Sequence, residues 1–311
     1  MAESRWEDFY RLNPSPDELP LIKSKICAFC KIHSSEKRKI ALITSGGTTV
    51  PLEHNTVRFV DNFSAGNRGS ASAEYFLKSG YAIIFLYRRK SLQPFARHFP
   101  ANSMLEILHE VEDDEGNFRI EVIPEKVQEL LPVLQNYHSA IHSSKLLMIT
   151  FTTLSEYLHI LKIAAESLQE LKKNALLYLA AAVSDFYIPP PNMSTHKIHS
   201  ADGPLNLELH LVPKVLQPLV CHWVPEAYIV SFKLETDESL LLEKANHALE
   251  RYGHKLVVAN ALHNRTKKVI LVTKDDHSII ELKQEEVENG CEIEEKLVSD
   301  IVSRHNSYLA Q

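Results

Sequence analysis

Four short segments hold the residues best placed to do chemistry: Ser45-Gly46-Gly47-Thr48, Ala181-Ala182-Val183-Ser184-Asp185, Ser231-Phe232-Lys233-Leu234-Glu235-Thr236 and Val258-Ala259-Asn260. Each follows or ends an apolar run, where an open α/β sheet binds its ligands, outside the carboxyl ends of the strands. The glycine pair lets a backbone approach a phosphate closely, and Gly66-Asn67-Arg68-Gly69, at the start of a predicted helix, offers free N–H groups and the positive end of the helix dipole. Such glycines also occur as plain turn or packing positions. Neither G-x-G-x-x-G nor G-x-x-x-x-G-K-[ST] is present, which disfavours a P-loop. Asp185 is either a turn-capping carboxylate or an acceptor for ligand N–H and hydroxyl groups, and the residues alone leave both open. Lys197, Lys214 and Lys233 lie in or beside these loops, where three cations on one rim would neutralise a phosphate-rich ligand. Arg88-Arg89, after the second strand, occupy the place of a basic residue that reads the phosphate of NADP. A reductase thus stays open, although no Tyr-x-x-x-Lys pair supports it.

Other chemistries find little support. The sixteen histidines are scattered; His138 with His142 and His196 with His199 have ligand-like spacing, but H-E-x-x-H is absent. No G-x-S-x-G elbow is present for a nucleophilic serine. Cys27-Ala28-Phe29-Cys30 with nearby His33 supplies at most three zinc ligands and precedes the first strand. Two thiols on an N-terminal helix is the simpler reading.

The elements that must position these residues follow from apolar periodicity. After about 36 residues, helical from Leu19 to His33, Lys39–Thr44 reads as a buried parallel strand. A helix from Ser64 closes at Gly80, and Tyr81–Tyr87 completes a βαβ unit. Further helices are predicted over 125–141, 153–171, 238–252 and 292–305, and strands over 146–151, 176–183, 228–233 and 256–260. Val269–Thr273 and Ser278–Leu282 predict a hairpin, the alternation Leu205–Leu211 a half-buried strand, and Ile188–Pro204, with its triple proline, a long loop. Repeated βα alternation implies an α/β fold with a doubly wound, mainly parallel Rossmann-like sheet. The reading divides the chain into an N-terminal helical extension over 1–36 and a single domain over 37–311.

Composition bounds the function. The chain has 311 residues, 34 Lys+Arg against 40 Asp+Glu, and a formal charge of −6, against a dedicated nucleic-acid binder. No apolar run approaches the roughly 20 residues of a membrane helix. Four cysteines and an acidic N-terminus without a targeting pattern predict a reducing, cytoplasmic setting.

Taken together, Thr44-Ser45-Gly46-Gly47-Thr48, Pro51-Leu52-Glu53, Val57-Arg58-Phe59-Val60-Asp61-Asn62-Phe63-Ser64-Ala65-Gly66 and Arg68-Gly69 closely resemble the phosphopantothenoylcysteine synthetase family. Tyr178–Tyr187, His196-Lys197-Ile198, Val212-Pro213-Lys214, Ser231–Asp237 and Val257–Asn260 are similar to its eukaryotic, stand-alone branch. The resemblance runs from about Lys39 to the C-terminus and leaves no room for the flavin-dependent decarboxylase that bacteria often fuse to this activity. It implies a ligase of coenzyme A biosynthesis that joins 4′-phosphopantothenate to L-cysteine. A nucleotide would activate the carboxylate with release of pyrophosphate, and the cysteine amine would then displace AMP. ATP is implied over CTP by Ser231–Thr236, and Mg²⁺ would neutralise the departing pyrophosphate.

Residue by residue, the resemblance implies that Gly46, Ser64, Gly66, Gly69, Phe232 and Asn260 bind nucleotide, with Lys197 directed at its phosphates from a loop longer than in bacterial relatives. Asn62, Ala181, Ala182 and Asp185 would hold the phosphopantothenate arm, and Asn62 would also act catalytically on the acyl intermediate. Arg58 would reach the phosphopantothenate of a neighbouring subunit, which implies a homodimer with shared sites and a hairpin or flap used in dimerisation. No residue is assigned to a metal.

Overall fold

The computed structural model describes residues 6–99, 105–199 and 203–311. Residues 1–5, part of the N-terminus read for targeting, 100–104, and 200–202, within the predicted 188–204 loop, lie outside them.

The apolar runs form strands buried on both faces, as a parallel sheet between helices requires. These are β1 (Ile40–Ser45), β4 (Ala82–Arg88), β7 (Leu146–Phe151), β8 (Ala175–Leu179), β11 (Tyr228–Glu235) and β12 (Leu256–Ala261). Two antiparallel strands, β13 (Lys268–Val272) and β14 (His277–Glu281), extend one edge. The order is β14-β13-β12-β11-β8-β1-β4-β7. The chain thus winds outward from β1 through β4 to β7, returns to β8 on the other side of β1, and winds the opposite way. β1 and β8 flank the switch point, outside whose carboxyl ends an open α/β sheet places its ligand crevice.

Helices cover both faces. One is packed by α1 (Trp6–Leu12), α2 (Leu19–Ser35) and α5 (Leu154–Leu168), whose Phe9, Ile26, Phe29, Leu158 and Leu161 are buried with Leu42, Ile84 and Leu177. The other carries α3 (Asn67–Lys78) and α9 (Ile293–Leu309), with Phe76, Leu297 and Ile301 against Ile43, Phe85 and Tyr178. α7 (Leu241–Tyr252) covers Val257 and Ala259 of β12. Helix α4 (Pro124–His142) precedes β7, and the short α6 (Leu216–Pro218) and α8 (Gln284–Glu288) complete the set. Thr153 and Glu156 form a capping box at the start of α5, a device worth about 1 kcal/mol. Among the described residues no helix is long and apolar enough to cross a membrane.

The doubly wound, mainly parallel sheet expected from the sequence is therefore present. Several local elements differ. The 176–183 strand stops at Leu179, and beyond it only Ala182 still bridges to the loop after β1. The half-buried strand expected over Leu205–Leu211 is reduced to β10 (His210–Leu211), paired with β9 (Phe186–Tyr187), and its leucines face outward. Two hairpins arise where the sequence predicts no strand: β2 (Thr49–Pro51) with β3 (Phe59–Asp61), and β5 (Leu108–Glu112) with β6 (Phe118–Val122). Helix α1 was likewise absent from the sequence reading.

Candidate active site

The loops after β1 and β8 are bonded into one wall of the crevice. The Ala182 N–H donates to the Gly46 carbonyl at 2.8 Å, and the Thr48 N–H to the Ala182 carbonyl at 3.1 Å. Two hydroxyls extend this seam: Thr44 Oγ1 accepts the Ala181 N–H at 3.1 Å, and Thr48 Oγ1 accepts the Ser184 N–H at 2.9 Å. Threonine suits both places because a short oxygen at a strand end can satisfy the N–H of a neighbouring turn.

The glycines explain how a third segment fits. Gly46 has φ of +83°, a left-handed conformation that bends the chain sharply after the strand. A Cβ on Gly47 would stand 1.6 Å from the Asn62 carbonyl oxygen, so only glycine lets that backbone lie across the loop. The Asn62 N–H donates to the Thr48 carbonyl at 3.1 Å and prolongs the β2–β3 ladder. Helix α3 then starts beside β1. Gly66 caps it at φ +87°, and a Cβ on Gly69 would lie 2.5 Å from Ser45 Cβ. Ser45 Oγ donates to the Gly66 carbonyl at 3.1 Å, and Ser64 Oγ accepts the Gly66 N–H at 3.4 Å. Close approach of α3 to the strand end brings its first N–H groups and dipole to the crevice, a setting for an anion.

Gly46, Asn62, Ser64, Gly66, Gly69, Ala181 and Ala182 are thus drawn together by direct contacts. Phe232 and Asn260 stand farther along the same rim, toward the ends of β11 and β12. The Phe232 ring meets the Tyr178 ring edge-on, with centroids 4.8 Å apart, and Asn260 is buried in register with Leu234. Asp185, at the mouth, is exposed and paired with Lys214 at 2.8 Å.

Arg58 and Lys197 belong to a different junction. Residues 53–55 bond to 194 and 195: the His54 N–H donates to the Ser194 carbonyl and the Asn55 N–H to the Thr195 carbonyl. Glu53 is fully buried there. Its carboxylate accepts the backbone N–H groups of Arg58, Val57 and Ile198 and the Arg58 guanidinium at 2.9 Å. Those donors, the Arg58 N–H foremost, hold its pKa down at about 2. Arg58 Nη1 also donates to the Ile198 carbonyl at 3.1 Å, so one nitrogen of the guanidinium anchors its own loop. Lys197 is exposed on the same strip.

Thr44, Ser45, Thr48 and Glu53, which support the site, stand within the motifs quoted from the sequence, but sequence reasoning gave none of them a role of its own. Arg88, weighed above as a cofactor-phosphate reader, is tied to Asp61 at 2.6 Å. At the C-x-x-C pair, Cys30 is buried and burial pushes its thiol up to about 12, while His33 Nε2 bonds the Ser144 carbonyl. A cavity of about 430 Å³ lies between the α1–α2 connection, β2 and the start of α5, lined by Phe9, Val50, Glu53, Leu154 and Tyr187. None of the twelve site residues nominated above lines it.

Comparison with known proteins places this geometry. The family described as the DNA/pantothenate metabolism flavoprotein C-terminal domain matches residues 158–304. The chain is 48% identical to the phosphopantothenate–cysteine ligase of Mus musculus over 273 residues, 88% of each protein. It is 41% identical to the phosphopantothenate–cysteine ligase CAB2 of Saccharomyces cerevisiae, over 98% of this chain and 87% of that one. The solved structure of a Cab2 mutant in complex with phosphopantothenate-cysteine superposes with a TM-score of 0.88 at 42% identity, covering 98% of both chains.

Proposed function

Because the chain belongs to the phosphopantothenate–cysteine ligase family, we propose that it joins 4′-phosphopantothenate to L-cysteine in coenzyme A biosynthesis, with ATP as the activating nucleotide. The observation that carries this reading is the seam at the switch point, where Gly46, Asn62, Ala181 and Ala182 meet beside the N-terminus of α3.

A free carboxylate is a poor acyl electrophile, so the first step makes it a better one. A carboxylate oxygen of phosphopantothenate attacks the α-phosphorus of ATP, an acyl adenylate forms, and pyrophosphate leaves. The cysteine amine then attacks the acyl carbon, the C–O bond to the adenylate breaks, and AMP departs. Gly46, Ser64, Gly66 and Gly69 supply the backbone surface and helix terminus for the nucleotide phosphates. Phe232 and Asn260 flank the nucleotide farther along the rim, and Lys197 approaches its phosphates. Ala181, Ala182 and Asp185 hold the pantothenate arm. The Asn62 amide stabilises the oxygen on which charge develops.

Mg²⁺ fits as an ion carried in by the nucleotide. Among the described residues no three His, Cys, Asp or Glu side chains converge, and Mg²⁺ is ordinarily held largely by substrate phosphates and water with one or two carboxylates. Bound there, it neutralises charge on the pyrophosphate.

The active unit is a homodimer in the cytoplasm. Support for the dimer comes from the outward-facing Val57, Phe59, Val60 and Phe63, the last 88% exposed, and from the leucines of 205–211. Arg58 lies among these apolar residues along the chain and is held at one nitrogen by Glu53 and Ile198, and its remaining guanidinium nitrogens reach the partner's phosphopantothenate.

The test is AMP and pyrophosphate formation by the purified protein with ATP, Mg²⁺ and 4′-phosphopantothenate, with and without L-cysteine and with CTP in parallel. Pyrophosphate released only with phosphopantothenate present, and faster with ATP, is the expected result. No consumption of either nucleotide by a folded dimer would overturn the assignment.

A further inference from the structure

The crossover between β4 and β7 carries a surface that the ligase reading leaves without a role. Helix α4 buries Leu130 and packs Ala140 into the core, yet Val127, Leu131, Leu134 and Ile141 remain exposed. Their spacing of four, three and seven residues puts them in one stripe along the helix, the repeat by which one helix accepts another. The preceding β5–β6 hairpin behaves similarly. Phe118 and Ile120 are 69% and 74% exposed, and their cross-strand partners on the same face are Glu112 and Glu110.

Charge identifies what would cover these apolar groups. Residues 105–142 contain nine carboxylates against Arg119 and Lys126, so this crossover alone is more negative than the chain's total of −6. Asp113, Asp114 and Glu115 crowd the hairpin turn. A second copy of the same face would bring two strongly negative surfaces together, and an anionic membrane or nucleic acid would be repelled in the same way. An apolar stripe bordered by carboxylates complements a helix with the opposite pattern.

We propose that α4 and the β5–β6 hairpin form a docking surface for a cationic amphipathic helix of another protein. Leu131 and Leu134 anchor its apolar face, and Glu110, Glu112 and the Asp113–Glu115 turn receive its lysines and arginines. Docking here is independent of the crevice at the switch point.

The experiment uses the full-length protein and a labelled peptide of about five helical turns, built of leucine and lysine in amphipathic order. Fluorescence anisotropy is expected to show saturable binding that weakens between about 50 mM and about 200 mM salt. It should weaken at least about tenfold in the doubly substituted Leu131→Asn, Leu134→Asn protein. Both positions are on the surface, so unchanged thermal unfolding checks that the variant is folded. Equal binding by the variant would overturn the proposal. So would equal binding of a peptide of the same composition in scrambled order, which would reduce the effect to charge alone. Self-association of the wild-type chain that the variant loses, seen by sedimentation, would assign the face to a second copy instead.

Discussion

Replacing Gly47 by alanine tests the link between packing and chemistry most directly. The new Cβ would stand 1.6 Å from the Asn62 carbonyl oxygen, whereas an ordinary contact starts at 3.4 Å. The two segments must therefore part by roughly 1.5–2 Å, and the obstacle is backbone that cannot rotate aside. The first bond lost is the 3.1 Å one from the Asn62 N–H to the Thr48 carbonyl. Forced overpacking of this kind costs about 1–3 kcal/mol, which a core of this size survives. The catalytic cost is of similar size, about 2.7 kcal/mol: displacing a reacting group by about 1 Å lowers turnover on the order of 10²-fold. The assay is pyrophosphate release at saturating substrates for Gly47→Ala, Asn62→Ala and the double variant, with thermal unfolding as the fold control. If Gly47 acts by placing Asn62, the double variant is no slower than Asn62→Ala alone. Losses that multiply, or wild-type turnover in Gly47→Ala, would refute the argument.

The single Asn62→Ala variant should fold normally and lose about 10²–10³ in turnover, measured as AMP formation in the presence of cysteine. Arg58→Ala is expected to weaken phosphopantothenate binding more than ATP binding in calorimetric titrations, since a guanidinium grips phosphate bidentately; equal effects would remove its substrate role. Glu53→Gln should lower the Tm at pH 7. Because the native carboxyl titrates near 2 against a usual value of 4.5, wild type holds this advantage above pH 4.5 and loses it as pH falls toward 2, so the two Tm curves converge on acidification. His254 and His305 are both held near 4 by burial, so the unfolded chain binds more protons from pH 6.5 down to 4 and stability falls across that window. Between pH 7 and 5 the loss is roughly 2 kcal/mol per histidine, and urea unfolding of His254→Gln should show a correspondingly shallower decline.

The sheet was legible because its strands are continuous apolar runs. Ala41, Leu42 and Ile43, or Val257, Val258 and Ala259, have no polar alternate and so must be covered on both faces. The hairpins were not legible. β2 and β3 have three residues each, too few for alternation to stand out, and the β3 side chains are exposed. Leu205–Leu211 misled for the opposite reason: its alternation is clear, but period two states only that one face is apolar, not that this chain covers it.

For the site, the amino-acid order by itself determined which residue types stand at each strand end, since both strand periodicity and helix-opening glycines are local signals. Tertiary structure alone decided that Gly47 lies beneath Asn62, that Thr44 and Thr48 hold the 181–184 turn, and that Arg58 shares a buried carboxylate with Ile198. These pairs lie about 15 to 145 residues apart along the chain. Their geometry follows from the opposite winding of the two halves of the sheet about β1 and β8, which no local pattern encodes.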